Sequence, residues 1–427
     1  MDKCCYPQLD ETVYRSVLPN GLTVCVVPRK GFTKKLAYFV TDYGAIHRDF
    51  VLDGEVHHSP AGVAHYLEHK MFDMPGGRDV SEELAAYGAM SNAFTSYDMT
   101  AYYFSTTDHF AECLRLLLEF VSTPCFTEES VRKEQGIIDQ DSGMNLDEPG
   151  SVGFEDLVSA LYEAHPVRTP ILGDRDSIRE ITPQVLETCH RAFYTPGNML
   201  LAVIGDVDPH QVEDMARQVL GDTPKSVGQK VKHWAEPLTP VRKLPQRNME
   251  VAMPPFNLGF KARPLEHGAE GIRRELIGDL AAEALYGESS RLYLRLYEEG
   301  LIDSSFGGGF ETLDGCAIFL CGGDSEDPQA VRDAILEEAK VIVREGIGEE
   351  DFLRMKRSAL GRRIRGLASF DSTCFRICAY HFSGFDYFRF PELYQDITAG
   401  DVLEFLEETV REEHCALSII NPMKEEL

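Results

Sequence analysis

His65 and His69 stand four residues apart in the stretch Ser-Pro-Ala-Gly-Val-Ala-His-Tyr-Leu-Glu-His-Lys-Met-Phe-Asp-Met, residues 59–74. On a helix that spacing puts both imidazoles on one face, one turn apart. Glu68 immediately precedes the second histidine on the same face. The pattern H-x-x-E-H is the inverted zincin arrangement, in which two neutral imidazoles hold Zn²⁺ and the carboxylate takes the proton of a water at the metal. In a chain with 13 histidines, the bare motif also fits a helix carrying two solvated imidazoles and an unrelated glutamate. A hydrolytic zinc site needs a third protein ligand, so the reading turns on finding one.

Two helices must position these groups. Ser59 is a good N-cap, Pro60 suits the first helical position, and Pro75-Gly76-Gly77 stops the helix. A second helix is expected over residues 127–144, with Thr127 as cap and Glu128 and Glu129 at the positive end of its dipole. Val131, Ile137 and Ile138 mark its buried stripe. Glu134 and Asp141 fall within that stripe, two turns apart and nearly eclipsed. A carboxylate facing a core is costly unless it is paired or metal-bound. Asp139 is expected on the opposite side, toward solvent.

Together these residues resemble the insulinase/pitrilysin family of zinc metallopeptidases. In that family H-x-x-E-H is followed, about seventy residues on, by a helix of the form E-K-G-I-I-x-Q-E. The last Glu is the third zinc ligand, and the first orients a ligating histidine. Here the helix reads Glu134-Gln135-Gly136-Ile137-Ile138-Asp139-Gln140-Asp141. The resemblance therefore implies His65, His69 and Asp141 as ligands of one zinc per chain, Glu68 as catalytic base and Glu134 behind a ligand. Aspartate in place of glutamate loses about 1.5 Å of reach. Either the helix sits closer, or zinc binds more weakly, or the site no longer works; retained zinc is the favoured reading.

Upstream, residues 12–17, 22–27 and 35–43 read as strands, the first two joined by a Pro-Asn-Gly turn. A helix over 80–87 precedes a hairpin over 88–104 that turns near Asp98. The family's matching N-A-x-T segment is an edge strand that takes the substrate backbone by strand addition, which implies Asn92, Ala93 and Thr95 as substrate contacts. Read without the family, the segment is an ordinary hairpin. Further helices are expected over 109–121 and 154–162, and a buried strand over 199–204. His57, His58, His165 and His190 lack a partner at ligand spacing and read as structural or solvated.

The second half echoes the first at an offset of about 220 residues. Asp327–Gly346 repeats the helix after Asp108, and Gly348-Glu349-Glu350-Asp351 opens another as Thr127-Glu128-Glu129-Ser130 does. No histidine occurs between His267 and His381, so this half has no matching zinc site. The expected fold is α+β: two homologous domains, each a mostly antiparallel sheet with helices on one face, forming a chamber. The boundaries are 1–222 for the zinc-bearing domain, 223–250 for a Pro- and Lys-rich linker and 251–427 for the non-metal repeat. Active relatives carry an Arg and a Tyr on the non-metal wall that hold the substrate and polarise its carbonyl. Ser289-Ser290-Arg291-Leu292-Tyr293 keeps the start of that segment, but Tyr297 and Asp303 stand where the pair is expected. A partner subunit supplying the pair is therefore expected.

A net charge of −28 argues against nucleic-acid binding and against docking on anionic membranes; it would attract cationic peptides, though for most of the surface acidity that serves only solubility is the favoured reading. Eleven scattered cysteines, an N-terminus without an apolar run and no stretch of ~18 apolar residues point to a cytoplasmic chain. His65–Phe72 and His165–Arg168 are similar to a bacterial two-domain subgroup associated with elongation factor P 5-aminopentanol modification. Its members usually occur with a sister subunit lacking the zinc motif. The expected function is zinc-dependent endopeptidase activity on peptides or unfolded segments bound as an extended strand. The chain would act as the catalytic subunit of a heterodimer, or else as a homodimer. The alternative is a weakly active or inactive peptide-binding or assembly subunit.

Overall fold

The computed structural model describes residues 1–232 and 234–423, apart from the side chains of Asp139 and Ser142; the expectation for Asp139 lies outside that description. Two sheets organise the chain. The first has seven strands in the spatial order Asp2–Tyr6, Glu11–Val17, Thr23–Pro28, Met199–Gly205, Lys35–Thr41, Thr100–Thr106 and Met90–Thr95. The second has five, in the order Gln246–Met249, Cys415–Pro422, Pro255–Ala262, Cys316–Asp324 and Gly307–Leu313.

The last five strands of the first sheet and the five of the second share one connectivity. Each begins with a parallel pair and continues antiparallel to its edge. Mean strand burial follows: Met199–Gly205 is buried along its whole length, as a central strand covered on both faces must be. The α+β architecture of two sheet-and-helix halves agrees with the repeat read from the helices alone.

Chain contacts group residues 1–142, 170–232 and 364–389 into one compact unit and residues 143–169, 233–363 and 390–427 into another. Each unit therefore borrows a helix from the other half of the chain. Phe370–Phe382 packs on strands Met199–Gly205 and Lys35–Thr41, while Pro149–Leu161 packs on Cys415–Pro422 and Pro255–Ala262. Burial at Cys374, Cys378, Leu157 and Leu161 shows the apolar faces that drive this exchange. Among the described residues no helix is long and apolar enough to cross a membrane.

In the first unit the motif helix runs Val63–Lys70, later than the sequence implies. Ser59 does not cap it; its hydroxyl donates to the Arg48 carbonyl at 3.2 Å. The N-cap is Gly62, at φ 87°. A Cβ there would lie 2.5 Å from the Leu172 carbonyl oxygen, so both the left-handed backbone and the close approach require glycine. Tyr66 and Leu67 are fully buried in the core this sheet covers; burying Leu67 contributes about 2 kcal/mol.

The second helix runs Glu128–Leu146, and the Thr127 hydroxyl caps it by accepting from the Ser130 N–H at 3.1 Å. Val131 and Ile138 are buried, as expected, but Ile137 is 42 % exposed. The face that carries the contacts to the motif helix is Val131, Glu134 and Asp141, with Ile138 buried beside them and the Asp141 side chain 40 % exposed; Ile137 lies well round the cylinder from it.

Candidate metal centre

The motif helix and the Glu128–Leu146 helix are joined where the chemistry would occur. The Tyr66 hydroxyl donates to the Val131 carbonyl, fixing the two backbones to one another. His65, His69 and Asp141 then each offer one ligating atom, and these atoms all lie within 4.8 Å of one another. His69 Nε2 and Asp141 Oδ2 are 3.9 Å apart. Ligand atoms on one tetrahedral zinc, at bonds of about 2.0–2.2 Å, stand ~3.4 Å apart, so the shorter aspartate still reaches the group.

The neighbouring polar groups suit a divalent ion. His69 Nδ1 is 3.1 Å from Glu134 Oε1, which leaves Nε2 as its ligating atom and holds the ring in place. His65 Nδ1 is buried with no hydrogen-bond partner among the described residues. Burial, helped by the neighbouring His69, lowers the His65 pKa to about 4, so its imidazole is neutral at pH 7, as metal ligation demands. The hydrogen bond to Glu134 outweighs burial at His69 and raises its pKa. Two imidazoles and one carboxylate are a donor set used by catalytic zinc, with a fourth position open. The residues present fit that metal.

Glu68 lies on the same helix, its carboxyl raised by burial and partly lowered by hydrogen bonding. The partner is Thr95, whose hydroxyl donates to Glu68 Oε2 at 2.6 Å. Thr100 Oγ1 lies 3.5 Å from the Thr95 hydroxyl and donates to the Tyr43 carbonyl at 2.9 Å, tying the pair to the sheet. Thr95, expected from the sequence to contact substrate, has its side chain engaged with Glu68.

Asn92, Ala93 and Thr95 do lie on the edge strand Met90–Thr95, which among the described residues pairs on one side only. The bond from Ser96 N–H to the Met99 carbonyl, 2.8 Å, sets the alternation. By that alternation Phe94 and Asn92 bond inward, while the peptide groups of Ser91, Ala93 and Thr95 face away from the sheet. The Ala93 N–H donates to Asn92 Oδ1 at 2.9 Å, so an incoming strand has to displace that side chain.

Lys70 is a functional residue that sequence reasoning missed. It is 1 % exposed, its Nζ is bonded to Asp73, and it lies 3.7 Å from Glu134 Oε2. It thus compensates the carboxylate behind His69. The available signal was a lysine directly after the second histidine with an acid three residues on. Of the histidines set aside, His165 is buried, with Nε2 2.9 Å from the Asp314 carbonyl, and His190 Nε2 lies 3.0 Å from that of Val121. His57 stacks on Phe50.

Comparison with known proteins converges on one family. Residues 54–175 match the model described as insulinase (peptidase family M16), and residues 180–359 match the one described as the peptidase M16 inactive domain. A Bacillus subtilis protein, YmfH, described as an uncharacterized zinc protease, is 35 % identical over 424 residues, 98 % of each chain. A second from the same organism, YmxG, also described as an uncharacterized zinc protease, is 26 % identical over 75 % of this chain and 78 % of its own. A solved structure from Alicyclobacillus acidocaldarius, described as M16-like peptidase, superimposes with a TM-score of 0.92 at 31 % identity, covering 97 % of this chain and 99 % of that one. A Helicobacter pylori protease shares the fold at a TM-score of 0.82 and 20 % identity, over 96 % of this chain and 99 % of that one.

Proposed function

Because the chain belongs to the insulinase family of M16 peptidases, we propose that it is a zinc-dependent endopeptidase acting on peptides or unfolded segments held as an extended strand. The observation that carries this reading is the convergence of His65, His69 and Asp141, with Glu68 on the same helix face. A zinc ion held by those three residues would polarise a peptide carbonyl and lower the pKa of a water toward ~7.

The remaining work falls to the protein's own groups. Glu68 accepts the proton of the attacking water on Oε1 or Oε2 and returns it to the departing amine. Thr95 keeps that carboxylate oriented, and Glu134 keeps His69 in one tautomer. The outward peptide groups of Ser91, Ala93 and Thr95 bond the backbone of an extended substrate without reading its sequence.

The proposed assembly is a heterodimer in which this chain is the catalytic subunit and a sister chain without the zinc motif completes the carbonyl-polarising groups; a homodimer is the other arrangement. Support for the missing pair is local: Tyr297 is 53 % exposed on the helix Arg291–Glu298, and Arg291 is held by Glu338 at 2.9 Å. The proposed setting is cytoplasmic, without nucleic-acid or membrane partners. The link to elongation factor P modification rests on the similarity of His65–Phe72 and His165–Arg168 to that subgroup.

A second reading is a weakly active or inactive peptide-binding subunit, favoured by the 40 % exposure of the Asp141 side chain. Incubating the purified chain with a mixed peptide library, with and without a candidate sister subunit and a chelator, separates the two. Chelator-sensitive cleavage is expected; binding without cleavage in every arm would leave only the second reading.

A further inference from the structure

In the second unit, the strand Pro255–Ala262 and the turn Glu412–His414 border a cavity of about 140 Å³. Lys261, Arg263, Arg274, Arg411 and His414 line it, with Glu408 as the carboxylate among them. In a chain of net charge −28, this local excess of positive charge runs against the composition.

Two of these cations are balanced. Lys261 Nζ donates to Glu236 Oε2 at 2.6 Å and to the Leu161 carbonyl at 2.9 Å, and Arg274 Nη2 donates to Glu408 Oε2 at 2.9 Å. Of the remaining three, Arg263 is unpaired and Arg411 only loosely paired. Arg263 is exposed and has no ion-pair partner among the described residues. Arg411 reaches Glu413 only at 3.9 Å, and its Nε is taken by the Glu407 carbonyl at 2.8 Å. Among the described residues Arg274 Nε and His414 Nδ1 are both buried without a hydrogen-bond partner, and His414 as a whole is 8 % exposed. Leaving such a group unmade costs about 1–3 kcal/mol, a deficit that a bound acceptor would remove.

We propose that this cavity binds a small tetrahedral oxyanion of the phosphate class. The uncompensated charge selects an anion, and the unpartnered nitrogen of Arg274 calls for an acceptor oxygen. Guanidinium forks match phosphate geometry, which a halide cannot exploit. The volume falls well below the ~300 Å³ at which pockets for larger organic ligands begin. The occupant is therefore one oxyanion, either a free ion or the phosphoryl end of a molecule whose remainder stays in solvent.

Titration calorimetry on the full chain at constant ionic strength tests this, with inorganic phosphate and glycerol phosphate as probes and chloride as the reference. Saturable one-site binding is expected, weakened about tenfold or more when Arg263→Gln and Arg411→Gln are combined, for the loss of ~1.4 kcal/mol or more. Both positions are on the surface, and an unchanged melting temperature in chloride would show that the variant is folded. Binding of both probes would identify a phosphoryl site open to larger molecules, and binding of inorganic phosphate alone a free-ion site. No saturable heat from either probe, or undiminished binding by the folded double variant, overturns the proposal.

Discussion

Replacing Thr95 by valine keeps the side chain's shape and removes the hydroxyl that donates to Glu68 at 2.6 Å. A hydrogen bond to a charged acceptor contributes about 1.5–3 kcal/mol, and one pKa unit corresponds to ~1.4 kcal/mol. The Glu68 carboxyl, already raised by burial, should therefore rise by a further ~1–2 units in the variant. A general base works only when ionised, so the acid limb of kcat/KM against pH should move up by that amount. Well above the limb the rate is nearly preserved; below it the loss reaches ~10–100-fold. Thr95→Ser, which restores the donor, should return the limb to its original place. Initial rates on a fluorogenic peptide across pH, with KM separated from kcat, are the assay. An unshifted limb together with a raised KM would refute this reasoning and make Thr95 the substrate contact that its position in the N-A-x-T segment implies.

Three further outcomes are expected. Glu68→Gln should retain metal yet lower peptide hydrolysis by ~10²-fold or more, measured as kcat at matched zinc content. Gly62→Ala forces a side chain into a left-handed backbone, with its Cβ 2.5 Å from the Leu172 oxygen; thermal unfolding should show a loss of ~1–3 kcal/mol. At Glu236, burial is outweighed by the Lys261 hydrogen bond and by the N–H groups of residues 163–165, which bring its pKa down to about 2. A depressed carboxylate contributes stability above its ordinary value of ~4.3 that is lost as pH falls toward 2. Acid unfolding followed by circular dichroism should therefore be shallower between those values in Glu236→Gln.

The imidazole pair was legible because helical periodicity is local: His65, Glu68 and His69 are set by two successive spacings on one element. Glu134 and Asp141 were legible in the same way, through the stripe they share with Val131 and Ile138. What escaped the sequence depends on distant chain. Gly62 ends the helix start because residue 172 passes against it, and no local propensity encodes that approach. Thr95 meets Glu68 only through the hairpin's register, and Lys70 faces Glu134 only because that residue arrives from another helix. The five-strand repeat was foreshadowed by two helices at a common offset. The exchange of Pro149–Leu161 and Phe370–Phe382 between units was not, since either helix's apolar face fits any sheet in periodicity alone. The proposed oxyanion cavity draws on Lys261, Arg274 and, from much later in the chain, His414, which carry no shared spacing.

Zinc-dependent hydrolysis requires that His65, His69 and Asp141 share one divalent ion. Elemental analysis of the purified chain after dialysis against trace zinc tests it most directly. About one zinc per chain, lost in His65→Ala and in Asp141→Ala while both variants keep their circular dichroism, is the predicted result. A folded chain without zinc, or full zinc retention in both variants, would contradict it.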